Sequence, residues 1–231
     1  MIFDTHTHYD DEAFNEDRDE LLRSLSSNGI EKVINIGATL KSTQTTVELM
    51  EKAKEHVEEC GLEGKIETRL SDGLAKINSD EVDSMIAAGM GGNLVIHILS
   101  AEEETAKGLK ELILQPQSEI GKVRLYLLEE GYQIVKEDMI FEDGKYYPMM
   151  KVVRGEREDY SLEDLEYGKL LLREKHPVLK QFLEWEINLQ KDILANLQKV
   201  NSERTRSRCQ ELEEKIDQMK TILKERYEYD L

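Results

Sequence analysis

The pattern of apolar residues changes once along the sequence, and this change restricts the folds that the chain can adopt. Up to about residue 158, short apolar and β-branched runs alternate with amphipathic helical segments, which is the repeating unit of parallel α/β sheets. From Ser161 onward the pattern is helical, with apolar residues at spacings of three and four. The sequence therefore predicts an α/β domain over residues 1–158 and a helical domain over residues 159–231.

The first domain is predicted to be a doubly wound, mostly parallel, seven-stranded sheet with helices between its first five strands. Its last two strands are expected to form an antiparallel hairpin that turns at Glu142-Asp143-Gly144. The strands are predicted at residues 1–6, 32–37, 66–70, 82–87, 112–114, 132–137 and 139–153, and the helices at 17–28, 42–59, 93–99 and 121–130. The fourth strand is expected to lead into a loop at Gly89–Gly92, and the fifth to end at Gln115-Pro116.

The helical domain begins with a capping box, Ser161-Leu-Glu-Asp164. Two long segments follow, residues 177–200 and 203–226, and each has an apolar stripe. The stripes are Phe182, Leu189, Ile193, Leu197 and Val200 in the first segment, and Leu212, Ile216, Met219 and Leu223 in the second. This spacing predicts an antiparallel coiled-coil hairpin.

The net charge and the cysteine content limit the binding partners and the cellular compartment that the sequence predicts. The formal net charge of -18 opposes general affinity for nucleic-acid backbones, because a polyanion is repelled at long range. One basic cluster, at the expected tip of the helical hairpin, is either an RNA contact or solvated surface. It contains Lys199, Arg204, Arg206 and Arg208. Two cysteines without ligand spacing, and no membrane-spanning run or signal peptide, predict a cytoplasmic protein with no membrane partner.

A short motif near the start has the form of a metal site. Asp4, His6 and His8 alternate along the first predicted strand, so their side chains are expected to share one face. Two imidazoles two residues apart can chelate one divalent ion, and a neighbouring carboxylate can complete or orient the set. The sequence predicts a weak divalent-metal site at His6 and His8.

The blocks MIFDTHTHYDDEAFNEDRDELL and KVINIGATL, within residues 1 to about 55, resemble the TatD-type metal-dependent deoxyribonucleases. In that family the first-strand histidines bind a divalent metal, so the resemblance implies this role for His6 and His8. The family's other ligands come from later strands, and nothing past residue 56 matches those strands. A metal-dependent phosphoesterase or nuclease at a rebuilt site is therefore an alternative function.

A second set of blocks covers the chain from about residue 53 to the C-terminus. They include VEECGLEGKIETRLSDGL, VDSMIAAGMGGNLVIHIL, LKELILQPQ and LLEEGYQIVKEDMIFEDGKYYPMMKV. These blocks resemble the TrmK-type tRNA (adenine-N1) methyltransferases. The resemblance implies a Rossmann-like sheet, S-adenosylmethionine as the cofactor and tRNA as the substrate.

The same resemblance implies two groups of site residues. Asp72 is expected beside the cofactor adenine, where its carboxylate would accept a hydrogen bond from the amino group. Gly89, Met90, Gly91 and Gly92 are expected around the methyl-transfer site, where small residues let a flipped base approach. The alternative is structural: Asp72 begins a turn, and the glycines form a tight strand-to-helix connection.

The two resemblances meet in a helix that both families carry after their second strand, which predicts a hybrid Rossmann-like sheet. In the methyltransferase order the first strand lies beside the fourth, so residues 2–5 are expected to pair in parallel with residues 82–87. The hybrid lacks the family's cofactor loop and ribose acid, because FDTHTHYDD has no glycine and VINIGATL ends without a carboxylate.

The sequence thus predicts a degenerate methyltransferase homologue with little or no catalysis and with weak or lost S-adenosylmethionine binding. Residual binding of tRNA or of a nucleotide is compatible with this prediction, and any RNA affinity is expected to run through the basic tip. Two further alternatives are an active tRNA methyltransferase that binds its cofactor in an altered way, and a folded chimera with no selected function.

Overall fold

The computed structural model describes the backbone of residues 2–7, 30–35, 51–199 and 203–228, apart from residues 53, 56, 60, 62 and 70. It describes side chains from residue 51 onward, except at residues 203 and 204. The chain divides into two compact units. The first unit is Met1–Lys136 with Pro148–Asp159, and the second is Glu137–Tyr147 with Tyr160–Leu231.

Within the described residues, six strands form one sheet. They are β1 (Ile2–Thr7), β2 (Ile30–Asn35), β3 (Ser84–Gly91), β4 (Glu111–Ser118), β5 (Tyr132–Glu142) and β6 (Lys145–Arg154). Their order is β2-β1-β3-β4-β6-β5. β1 pairs in parallel with β2 and β3, β3 pairs in parallel with β4, and β4 pairs antiparallel with β6. The mostly parallel α/β sheet predicted from the sequence is confirmed.

The N-terminal segment is part of this sheet. Asp4 is paired with Val33 on one side and with Ile86 on the other. The predicted parallel pairing of residues 2–5 with residues 82–87 is therefore confirmed. The predicted first helix, residues 17–28, lies outside the described residues.

The prediction of a seventh strand at residues 66–70 is wrong for the described residues of that segment. Residues 66–69 have no regular structure. The Arg69 guanidinium binds the carboxylates of Glu67 and Glu81, and donates to the carbonyl of Lys76 at 2.6 Å. These bonds fold the segment against the turns that follow it, so its backbone is not extended along a neighbouring strand.

In the first unit, the described residues of 51–59 are helical, and three helices follow β3: α1 (Gly92–Ala101), α2 (Glu103–Gly108) and α3 (Ile120–Glu129). α1 and α3 pack on the sheet. The core is aliphatic, as the low aromatic content requires. Its fully buried members include Met85, Ala87, Val95, Leu99, Leu112, Leu114, Val123 and Leu127. The helices predicted at residues 93–99 and 121–130 are confirmed as α1 and α3.

The second unit holds a π-helical turn (Asp164–Gly168) and three helices: α4 (Lys169–Arg173), α5 (Pro177–Leu197) and α6 (Glu203–Tyr227). The capping box before them is confirmed. The Ser161 N–H donates to Asp164 Oδ2 at 2.9 Å, and the Asp164 N–H donates to Ser161 Oγ at 3.1 Å. None of the described helices is both long and apolar enough to span a bilayer.

The predicted apolar stripe is confirmed for α6 and wrong for α5. Leu212, Ile216, Met219 and Leu223 are all buried. The buried residues of α5 are Leu179, Leu183, Ile187 and Gln190. Leu189 and Ile193 are 39% and 38% exposed, because α5 carries apolar residues on two faces and only one of them packs in the core. Coiled-coil packing of the two helices remains a prediction.

The hairpin turn is confirmed. β5 ends at Glu142 and β6 begins at Lys145. Asp143 and Gly144 have φ angles of 48° and 76°, the two left-handed residues that a tight type I′ hairpin turn requires.

Candidate functional site

The glycine segment, Gly89–Gly92, lies where β3 passes into α1. Gly89, Met90 and Gly91 are the last residues of β3, and Gly92 is the first residue of α1. The sequence predicted a loop here, whereas the strand continues through the first three residues. Register shifts on either side of Met90 mark a bulge, and Gly89 has a φ of 77°. The bulge lies at the carboxyl edge of the parallel strands, where such sheets bind ligands.

A side chain of the neighbouring strand bonds to the bulge. The Gly89 N–H donates to the side chain of Gln115 in β4, at 2.7 Å from Oε1. The next residue of β4, Pro116, is paired with Met90. The sequence predicted that β4 would end at Gln115-Pro116, but the strand continues through the proline to Ser118 beside the bulge of β3.

Gly92 is required for close packing. A Cβ at this position would lie 2.5 Å from the Ser118 carbonyl oxygen and 2.9 Å from Val123 Cγ2. A Cβ on Gly91 would meet only Ser118 Oγ, at 3.3 Å. The two adjacent glycines therefore differ: Gly92 lets α1 approach the connection between β4 and α3, whereas Gly91 is exposed.

A carboxylate lies next to the start of α1. Glu119, between β4 and α3, has a φ of 51°, which is uncommon for a residue other than glycine. Its carboxylate accepts from Lys122 Nζ at 2.5 Å and from Asn93. These hydrogen bonds, that of Lys122 above all, lower the pKa of Glu119. At this edge of the sheet, β3 therefore ends in small residues, and the hydrogen-bonded carboxylate of Glu119 follows the end of β4.

Sequence reasoning missed Gln115 and Glu119. The bond from the Gln115 side chain to Gly89 depends on the bulge in β3, which no sequence pattern indicated. No signal in the sequence indicated the left-handed conformation of Glu119.

Asp72 lies in an exposed turn before β3. Its carbonyl accepts from the Ala75 N–H at 3.1 Å. Gly73 is buried, with a φ of 53°, and a Cβ there would lie 3.0 Å from Ile98 of α1. The turn that carries Asp72 therefore packs on the helix that starts at the glycine segment.

The side chains of the predicted metal ligands are not among those that the structure describes. His6 lies in β1, with only its backbone described, and His8 lies outside the described residues. Among the described side chains, no group of three or more His, Cys, Asp or Glu residues is arranged to hold a metal ion.

The predicted RNA-binding residues lie around the connection between α5 and α6. Lys199 follows the end of α5 and donates to Asn196 Oδ1 at 3.0 Å. Arg204, Arg206 and Arg208 lie in the first two turns of α6. Arg206 and Arg208 are exposed, and Arg208 pairs with Glu211 at 2.8 Å.

Two family models match the chain. That of the tRNA (adenine(22)-N(1))-methyltransferases, TrmK, matches residues 44–221, well over half of the sequence. The chain belongs to this family. A model of the TatD related DNases matches residues 3–66, so the two matches overlap over residues 44–66. The tRNA (adenine(22)-N(1))-methyltransferase of Bacillus subtilis is 32% identical over 177 residues, which are 74% of this chain and 74% of that protein.

Solved structures of family members share the fold. A Streptococcus pneumoniae protein, a candidate tRNA (m1A22) methyltransferase, has a TM-score of 0.74 at 28% identity, over 96% of this chain and 92% of that one. The same protein in complex with S-adenosyl-L-methionine has a TM-score of 0.71 at 27% identity, over the same shares. The Bacillus subtilis methyltransferase has a TM-score of 0.70 at 24% identity, again over 96% and 92%. The fold is the Rossmann-like methyltransferase fold.

Proposed function

We propose that this protein is a tRNA-binding member of its family with little or no methyl transfer. The observation that carries the proposal is the position of β1. It pairs in parallel with β3, whose carboxyl end carries the glycine segment. The connection that follows β1 therefore leaves from the edge of the sheet where a cofactor would lie.

That connection has the wrong composition for a cofactor loop. Close approach of a backbone to a ligand calls for glycine, yet the first glycine of the chain is Gly29, just before β2. The strand β2 ends at Asn35, and the first carboxylate after it is Glu48, thirteen residues on. Neither the amino-acid part nor the ribose of S-adenosylmethionine has its usual partner in these segments.

The missing contacts are large enough to abolish ordinary affinity. Each hydrogen bond to a charged group contributes about 1.5–3 kcal/mol. The loss of two or three weakens binding by roughly two to six orders of magnitude, since about 1.4 kcal/mol corresponds to a factor of ten.

We further propose roles for individual segments and residues of the chain. Residues 1 to about 55 are a TatD-like segment that takes the place of the family's first half-sheet, and the match to the TatD related DNases supports this. Asp72 and the glycine segment are the remaining cofactor and base contacts, and His6 and His8 hold at most a weak divalent ion. The α5–α6 hairpin binds tRNA through its basic tip, in the cytoplasm.

A second candidate is an active tRNA (adenine-N1) methyltransferase with altered cofactor binding. Two observations favour it. The glycine segment and Gln115-Pro116 are intact at the sheet edge. A family member 27% identical to this chain holds S-adenosyl-L-methionine in its solved structure.

One pair of measurements separates the two candidates. The chain is titrated with S-adenosylmethionine by calorimetry, with and without a tRNA transcript that carries A22. Methyl incorporation is then measured on that transcript and on one with G22, with the Bacillus subtilis relative as the positive control. We expect tRNA binding, no measurable heat with the cofactor alone, and incorporation at background. A low-micromolar dissociation constant together with A22-dependent incorporation would establish the active enzyme instead.

A further inference from the structure

The orientation of the Gln115 side-chain amide is determined by its partner. The Gly89 N–H is a donor, so the amide must turn its oxygen toward it, and the observed distance to Oε1 is 2.7 Å. A flipped amide would place two donors against each other. Gln115 Nε2 is consequently directed elsewhere, and it is buried without a hydrogen-bond partner among the described residues.

A buried, unpaired donor costs free energy, and native proteins retain few of them. The bond that forces this arrangement contributes little stability in return. Gly89 is exposed, so its N–H would find water if Gln115 were absent. Gln115 thus keeps its bond to Gly89 while its amide donor stays buried without a partner among the described residues, and this combination points to a positioning role.

The hydrogen bond from Gly89 to Gln115 acts on the first residue of the glycine segment. Gly89 is the bulged, left-handed residue of β3, and Met90, Gly91 and Gly92 follow it directly. The backbone direction at Gly89 therefore sets the position of the whole glycine segment. The Gln115 side chain therefore bonds from β4 to the bulged residue of β3.

We infer that Gln115 is a positioning residue for recognition of the target base. It holds the bulge at Gly89 so that the glycine segment presents a small, fixed surface to a flipped adenine. This inference rests on the proposed tRNA binding, and it concerns discrimination between bases rather than overall affinity for tRNA.

The test uses two substitutions of similar size in the full chain. Gln115→Met removes both the acceptor and the unpaired donor, whereas Gln115→Glu retains an acceptor for Gly89. The Gly89 amide is followed by NMR in protein labelled with 15N-glycine, through its chemical shift and its hydrogen exchange. The melting temperature and the affinities for A22 and G22 transcripts are measured on the same samples.

We expect Gln115→Met to melt at or above the wild-type temperature while its Gly89 amide exchanges roughly two- to tenfold faster, the protection given by one ordinary hydrogen bond. Its preference for A22 over G22 should fall toward one. Gln115→Glu should retain both the Gly89 shift and the preference. This separation of stability from recognition is not expected of a residue that only supports the fold.

Three results would overturn the inference: a Gly89 amide that is unchanged in Gln115→Met, loss of the Gly89 shift in Gln115→Glu, or an A22 preference that is unchanged in Gln115→Met. If wild-type protein binds neither transcript, the proposed function fails, and the NMR comparison of the two variants still decides whether Gln115 positions Gly89.

Discussion

The Tyr227 hydroxyl donates to the backbone carbonyl of His176 at 3.1 Å. Tyr227 is the last residue of α6, and His176 immediately precedes α5, so the end of one long helix is tied to the start of the other. His176 is held in turn through its ring, whose Nε2 lies 3.1 Å from Asp138 Oδ1. Burial raises the pKa of Tyr227 to about 12.

This contact predicts how stability depends on alkaline pH. The folded protein favours neutral Tyr227, so the stabilisation is complete below the unfolded pKa of about 10 and is lost as pH rises from about 10 to about 12. Tyr227→Phe cannot ionise, so its unfolding free energy should fall less steeply over that range. At pH 7 the variant should be about 0.5–1.5 kcal/mol less stable, because the hydrogen bond is lost. Urea unfolding at pH 7, 10 and 11 measures both effects, and parallel pH profiles would contradict the assignment.

Helix α5 has one buried and one exposed apolar face, so the same substitution can be compared on the two faces. Leu183 is fully buried, in a cluster with Leu179, Ile216 and Met219, whereas Leu189 is 39% exposed. We expect Leu183→Ala to lower the unfolding free energy by about 2–5 kcal/mol, the usual effect of a core leucine deletion. Leu189→Ala should cost less than about 1 kcal/mol. Equal losses in chemical denaturation would mean that both faces of α5 are covered in solution.

These two leucines also show where sequence reasoning reached its limit. Periodicity identified α5 as a helix, but an apolar residue on either face satisfies a spacing of three and four. Only packing decides between the faces. α6 has a single apolar face, and its stripe was therefore predicted correctly.

The sheet also includes one feature that the sequence predicted and one that it did not. The pairing of β1 with β3 was predictable, because strand order follows from the family's topology and from the apolar character of the strands. The segment at residues 66–69 was not, since its side-chain bonds through Arg69 override a weak strand pattern. At the candidate site the glycines were found by their type, whereas the role of Gln115 depends on a bulge that exists only in three dimensions.

The basic tip predicts a salt-dependent contribution to RNA binding. Replacing Arg204, Arg206 and Arg208 by Ala should weaken tRNA binding and reduce the slope of log affinity against log salt by up to about three. A matched control removes three cations from the other end of the same helix: Lys220, Lys224 and Arg226. Filter binding over a salt series should separate the two variants. Equal slopes would assign the tip to ordinary solvated surface.

The adjacent glycines Gly91 and Gly92 give the sharpest structural prediction, because the same substitution has opposite expected effects one residue apart. Gly91 has φ −65° and ψ 144°, which any residue adopts, and a Cβ there meets only the movable Ser118 hydroxyl at 3.3 Å. Gly91→Ala should therefore be neutral or stabilising by up to about 1 kcal/mol, since it restricts the unfolded chain. Gly92→Ala drives a methyl group to within 2.5 Å of the Ser118 carbonyl oxygen and should cost about 1–3 kcal/mol. Thermal and urea unfolding of both variants measures the difference. If Gly92→Ala is as stable as Gly91→Ala, α1 does not approach the β4–α3 connection as closely as described, and the geometry assigned to the glycine segment is wrong.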